Sequence, residues 1–215
     1  MTRASEAVPA SRAYNRRMGM FRNRGLTDDQ IARIPPGQHF VRDFPVLHAG
    51  TVARTPAAQW DMRVFGLVEH ELRWDYGEFR ALATVTQTCD IHCVTTWSKL
   101  DTVWEGVPMA GILAQAQPLA SATHVIAHAE EGYTANLPIA AVQDDDVMLA
   151  YRFDGADLEA VHGGPLRLLV PKRYFWKSAK WLRGLEFVNG DRPGYWERLG
   201  YSNTADPWRE ERYAF

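Results

Sequence analysis

The sequence predicts an α+β fold with mixed sheets and short helices. Apolar runs of strand length alternate with short helical segments, Gly and Pro loops join both kinds, and no regular βαβ alternation or internal repeat is present. The chain has 215 residues, 46% hydrophobic and 23% charged, a globular balance that fits one large domain or one domain with arms. That length buries a substantial core without disulfide staples.

Residues 1–38 lack apolar periodicity except for a helix over Thr27–Ile34, which Thr27 would cap and Pro35-Pro36 would stop. They are read as an N-terminal arm wrapping the domain. Residues 39–215 form that domain, with a core to about residue 190 and a polar, aromatic tail docked on it. Within it Arg63–Val68 reads as a strand, Tyr76–Leu82 as a helix and Thr84–Thr88 as a strand. Val94–Ser98 reads as a loop, and Met109–Gln115 as a helix opened by Pro108. His124–His128 is a strand, Tyr133–Pro138 an extended segment leading into a helical turn near Ile139–Gln143. Val147–Phe153, Leu166–Val170 and Leu185–Val188 complete the strands.

The net charge of −2 gives no global pull toward nucleic acid or an anionic membrane. Arg16-Arg17 with Met18 and Phe21 hints at a twin-arginine export signal, but Arg22, Asn23, Arg24, Asp28 and Asp29 follow where an apolar run is needed. The uncharged stretch Gly106–Ala129 is broken by Pro108, Gln115, Gln117 and Pro118, so no membrane span is expected. Two cysteines, Cys89 and Cys93, are too few for a disulfide framework. A cytoplasmic protein with reduced thiols is the expectation.

Local clusters hold the chemistry. Cys89-Asp90-Ile91-His92-Cys93 offers soft ligands within five residues, but a structural zinc site wants a second pair that is absent. His162 to Arg183 holds Arg167, Lys172, Arg173, Lys177, Lys180 and Arg183 with no acid, a local charge of +6. Gly163-Gly164-Pro165 reads as a tight turn whose N–H groups approach an anion, and Lys177-Ser178-Ala179-Lys180 as a second phosphate-binding edge. One compact phosphate-bearing ligand suits this island better than a nucleic acid. Asp144-Asp145-Asp146 reads as a solvated turn, and no G-x-S-x-G elbow supports serine catalysis. The eight Trp supply flat surfaces for a core or for a planar ligand.

Taken together, DIHCVTTWS at Asp90–Ser98, VMLAYRFDG at Val147–Gly155, HGGPLRLLVP at His162–Pro171 and WKSAKWLRGLEF at Trp176–Phe187 resemble the molybdopterin-binding domain of the sulfite oxidase family. The tail GYWERLGYSNTADPWREERY resembles its short bacterial branch. The resemblance implies molybdenum held by one pterin dithiolene and by one thiolate, here Cys93. It further implies His162 and Arg167 on the pterin and its phosphate, with Lys177, Ser178, Ala179 and Lys180 clasping that phosphate. FVRDFPVLHAG at Phe40–Gly50 is similar to the family's cofactor-contacting segment, which brings in Phe44, Val46, Leu47 and His48. Arg42 matches an arginine that attracts an oxoanion, and His128 a cofactor-contacting position. Thr96 stands where a basic residue or Gly is common, and Phe175 where Gly is usual, so both reshape the substrate side. The activity implied is oxygen-atom transfer on a small sulfur substrate, with S-oxide reduction or a non-enzymatic anion-binding module as alternatives. No haem or immunoglobulin-like domain is recognisable, so a separate electron-transfer protein or small carrier is expected.

Overall fold

The computed structural model describes residues 25–214, and the arginine pair with the rest of residues 1–24 of the arm lies outside them. Helix α1 (Asp28–Ala32) begins where expected. The Thr27 hydroxyl accepts the Gln30 N–H at 3.2 Å, and the Gln30 side chain accepts the Thr27 N–H at 3.0 Å, which satisfies two otherwise orphaned donors. Arg33 then bridges Asp90 and Asp101, and Gln38 is buried with its amide on the Cys93 carbonyl at 3.0 Å.

Two sheets make up the fold. In the first, β1 (His39–Phe40), β5 (Trp97–Pro108), β8 (Met148–Phe153) and β10 (Arg167–Leu169) lie side by side, with β4 (Val85–His92) also on β5 and β9 (Ala156–Asp157) on β8. In the second the order is β3 (Leu72–Asp75), β2 (Asp61–Gly66), β11 (Leu182–Val188), β6 (His124–Ala129) and β7 (Thr134–Pro138). β1–β5 and β2–β11 are parallel and the remaining pairs antiparallel, so the sheets are mixed. The helices α2 (Tyr76–Arg80), α3 (Met109–Ala116) and α4 (Ile139–Val142) are short, and Asp75 caps α2 through a second capping box with Glu78. Among the described residues no helix is long and apolar enough to cross a membrane.

The longest strand, β5, is absent from the sequence expectation, which left residues 99–108 unassigned. Its buried residues Trp97, Leu100, Thr102 and Trp104 are interleaved with Lys99, Asp101 and Glu105, and those charges hide the alternation. The main core gathers Met62, Val64, Phe79, Ile112, Leu149 and Leu185, each completely or almost completely buried and contributing about 1.5–3 kcal/mol by removal from water. A second cluster of Ile91, Trp97, Trp104, Met148 and Phe175 packs against Phe44, Cys89 and Cys93. This second core positions the site.

Candidate functional site

The β4–β5 hairpin presents the thiol. Its register shifts between Cys89 and Ile91, where Asp101 adopts φ 56° and donates its N–H to the Asp90 carboxylate at 3.0 Å. A bulge of this kind bends the strand and re-aims the residues beyond it. Cys93 opens the turn, its N–H donating to the Trp97 carbonyl at 2.8 Å while Thr96 N–H returns to the Cys93 carbonyl at 3.0 Å. Thr96 sits at φ 77°, a conformation that a β-branched residue rarely adopts. The Thr95 hydroxyl donates to Cys93 Sγ at 3.1 Å. Burial pushes the Cys93 thiol up from its ordinary pKa, against the pull of Thr95, Arg212 and Lys180. Cys89 differs: burial lifts it to about 12, and its neighbour is the Thr102 hydroxyl at 3.7 Å. Asp90 faces Arg33 and His92 Nδ1 meets Ser98 Oγ at 2.8 Å, so the ligand-capable cluster does not converge on one point.

Cys93 opens onto a cavity of about 290 Å³. Phe44, Leu47 and His48 contribute to its wall from the segment after β1, and Trp97 and Phe175 from the second core. Arg167, Ser178, Ala179 and Lys180 come from β10 and the loop before β11. Arg167 is 1% exposed, with Nη1 donating to the His162 carbonyl and Nη2 to the Ser178 carbonyl, both at 2.7 Å. Its guanidinium lies 4.0 Å from the Phe175 ring centroid and its Nε has no partner. Burial pulls its pKa down to about 9. Lys180 donates to the carbonyls of Leu47 at 2.8 Å and Val161 at 2.6 Å, and burial with the Arg167 charge lowers it to about 7. His162 is lowered by burial and by both cations, and its Nδ1 is likewise unpartnered. No carboxylate hydrogen-bonds to any of these three among the described residues. Such a group gains most from an anion.

Residues 48–196 match the family model described as the oxidoreductase molybdopterin binding domain. The chain belongs to this family of molybdopterin-binding oxidoreductases. The uncharacterized oxidoreductase YuiH of Bacillus subtilis (strain 168) is 42% identical over 197 residues, covering 91% of this chain and 100% of the relative. The protein-methionine-sulfoxide reductase catalytic subunit MsrP of Gluconobacter oxydans (strain 621H) is 27% identical over 158 residues, 65% of this chain and 50% of that protein. The sulfane dehydrogenase SoxCD from Paracoccus pantotrophus shares the fold, with a TM-score of 0.61, 20% identity and coverage of 93% of this chain and 58% of that one.

The cavity fits the molybdenum–molybdopterin cofactor of the family. It offers one soft sulfur ligand, flat rings for a pterin, and orphaned buried donors on Arg167 and Trp97 beside Lys180. Phe44, Leu47, His48, Cys93, Arg167, Ser178, Ala179 and Lys180 therefore come together on one wall system.

Five expected residues lie off that wall. Arg42 is exposed, with its carbonyl taken by Lys99 Nζ at 2.6 Å, and Val46 is 47% exposed. His128 is in the second sheet, bonded to Glu186 at 2.8 Å with its ring against Phe65. His162 stacks behind Phe44 at 3.9 Å. Lys177 is fully buried and turned away, onto Asn136 at 2.7 and 3.0 Å and Glu197 at 2.6 Å, which corrects its placement on the phosphate edge. The Gly163-Gly164 reading is corrected too: their N–H groups donate to Ala160 and Glu159 at 3.0 Å, and a Cβ on Gly163 would meet the Lys180 Cβ at 2.9 Å. Gly163 makes room for Lys180 and Gly164 for the Leu158 carbonyl, and neither offers a free N–H.

Sequence reasoning missed the other side of the cavity, formed by Glu130, Glu131, Tyr133, Trp176, Tyr195, Trp196 and Tyr201. The dense aromatics of GYWERLGY were the available signal, read only as a docked tail.

Proposed function

We propose that Cys93 supplies the protein sulfur to molybdenum, and that the enzyme transfers one oxygen atom at the sulfur of a small substrate, an organic S-oxide in preference to sulfite. The observation that carries this is the division of the cavity around Cys93 between a cationic side and an aromatic side. When bound, the molybdenum–pterin group supplies the two-electron oxygen-atom chemistry. Arg167 and Lys180, with Ser178 beside them, would hold the phosphate end, and His162 supports Phe44 from behind. Phe44, Trp97 and Phe175 would give the pterin an apolar aromatic surface, and the Thr95 hydroxyl orients the Cys93 sulfur.

Both cations that line the cavity are then committed to the phosphate, and Arg42 lies outside it. Rings are left to receive the substrate. They exclude water and suit a partly apolar molecule without negative charge better than a dianion, whose desolvation would go uncompensated. In the reductive direction the S–O bond breaks and sulfur gains two electrons from a separate electron-transfer protein or small carrier. The oxygen leaves as water after taking two protons. A cytoplasmic setting is part of the same proposal.

The test is Cys93→Ser, with molybdenum, pterin release and sulfoxide turnover measured together. Turnover should fall to background while the pterin, held at its phosphate end, and its dithiolene-bound molybdenum are largely retained, and thermal unfolding of the cofactor-free forms stays within about 2 °C. A molybdenum-replete, fully active Cys93→Ser enzyme would overturn the assignment.

A further inference from the structure

The aromatic side of the cavity is one continuous surface. Ring centroids are 5.6 Å apart from Tyr133 to Tyr195, 5.2 Å from Tyr195 to Trp196, 4.9 Å from Trp196 to Tyr201 and 5.3 Å from Tyr201 to Trp176. All five residues line the cavity. Their contacts are tilted or edge-on, so the rings turn different faces and edges outward, and a ring face carries the negative part of the aromatic quadrupole.

Two carboxylates stand beside this wall, and they differ. Glu130 is committed, accepting from Arg183 at 2.6 Å and from the Thr55 hydroxyl at 2.7 Å. Glu131 lines the same cavity, is exposed, and forms no ion pair or side-chain hydrogen bond with any described residue. Its backbone sits at φ 57°, which places the side chain in a tight turn just before Tyr133. The tail cation Arg212 is held elsewhere, on the Val94 carbonyl at 2.5 Å and over the Tyr174 ring, and is not part of the cavity wall. A free carboxylate beside exposed ring faces attracts a positive charge twice, through the charge itself and through the π faces.

We propose that Glu131 and this ring wall select a positively charged substrate, an organic S-oxide carrying an ammonium or quaternary ammonium group. The proposal rests on the S-oxide reading above and names the substrate class within it. The two cations of the cavity wall, Arg167 and Lys180, do not compete for the same end, since on the reading above both are committed to the cofactor phosphate.

The experiment uses the molybdenum-loaded enzyme and three methyl sulfoxides of matched size, bearing a trimethylammonium, a tert-butyl or a carboxylate group. Each is assayed for kcat/KM, and tetramethylammonium is titrated separately against the tryptophan fluorescence of the same enzyme. The cationic sulfoxide should exceed the neutral one by about tenfold, through KM, with the anionic one poorest. Glu131→Gln should shrink that ratio by about threefold and Glu131→Lys should abolish it, with matching losses of tetramethylammonium affinity. Equal kcat/KM for the cationic and neutral sulfoxides in the unmodified enzyme overturns the proposal. So does a Glu131→Lys enzyme in which all three substrates decline alike. If no sulfoxide turns over but tetramethylammonium binds with Glu131-dependent affinity, the cation-selective wall stands and the S-oxide reading falls.

Discussion

Replacing Glu197 by Ala should strand two buried donors at once. The Lys177 ammonium, 0% exposed, and the Trp176 indole N–H both point at Glu197 Oε1, at 2.6 and 2.7 Å. Removing one partner of a buried pair costs about 3–5 kcal/mol, because the remaining charge stays desolvated. Lys177 keeps two acceptors on Asn136, so the lower end of that range, about 3 kcal/mol, applies. In a chain of this size that is roughly 6–12 °C in Tm. Glu197→Gln retains one acceptor oxygen and should lose about 1–2 kcal/mol. The double replacement Lys177→Met/Glu197→Leu should cost less than Glu197→Ala alone, since no charge is left unpaired. Burial already holds the Lys177 pKa below its ordinary value, and Glu197 opposes that fall. Without Glu197 the folded lysine loses its proton more readily. Between its folded pKa and the unfolded value near 10.4 the unfolded chain then binds more protons, so the stability of Glu197→Ala should rise with pH across that window. Thermal unfolding of the cofactor-free protein by circular dichroism, from pH 6 to 9, measures both effects. A Glu197→Ala loss below about 1 kcal/mol, or a double variant as weak as the sum of its singles, would refute the reasoning.

Thr96→Gly relieves a β-branched residue held at φ 77° and loses only the 3.5 Å contact between Oγ1 and His39 Nδ1. Strain relief of about 1–2 kcal/mol, less about 0.5–1 kcal/mol of added chain entropy, predicts a denaturation midpoint equal to or above that of the unmodified protein. The Asp61 carboxyl is held below its usual pKa by Arg183, with Arg73 adding to the effect against the cost of burial. Its contribution is present above the unfolded value of about 3.9 and fades as pH falls through the folded one, so Asp61→Asn should flatten acid unfolding below about pH 4. At pH 7 the same variant should lose about 1 kcal/mol, read from urea unfolding, because the bridge is partly open to solvent.

Elements bounded by explicit caps and breakers were legible from sequence. Thr27 and the Pro35-Pro36 stop announce α1, and the α3 segment follows Pro108 as expected. Strand β5 was not legible, because Lys99, Asp101 and Glu105 face outward between buried residues and dilute its apolar signal. Cys93 could be singled out as a thiol in a small, polar turn, whereas the turn's closure by Gln38 and Arg212 depends on segments 55 and 118 residues away. The ring wall has the same character. Tyr133 and Tyr195 lie far apart in the chain and meet only when residue 195 donates its N–H to the Thr134 carbonyl at 2.8 Å.

The basic island shows how charge in sequence differs from charge at a site. Of its six cations, Lys172 faces Asp144 and Asp146 at 3.3 and 3.7 Å, Lys177 is buried on Glu197, and Arg183 is bound to Asp61 and Glu130. Arg173 donates to the neighbouring Lys172 carbonyl and is absent from the cavity wall. Acids from four distant segments thus neutralise half of the island, including the aspartate run that looked like an idle turn. The cations that reach the cavity are Arg167 and Lys180, both bonded to backbone carbonyls and to no carboxylate. A carbonyl fixes the position of a cation without cancelling its charge, whereas a carboxylate does both. The phosphate-binding capacity of this fold therefore depends on the type of partner each cation has found, and a count of lysines and arginines along the chain overstates it threefold.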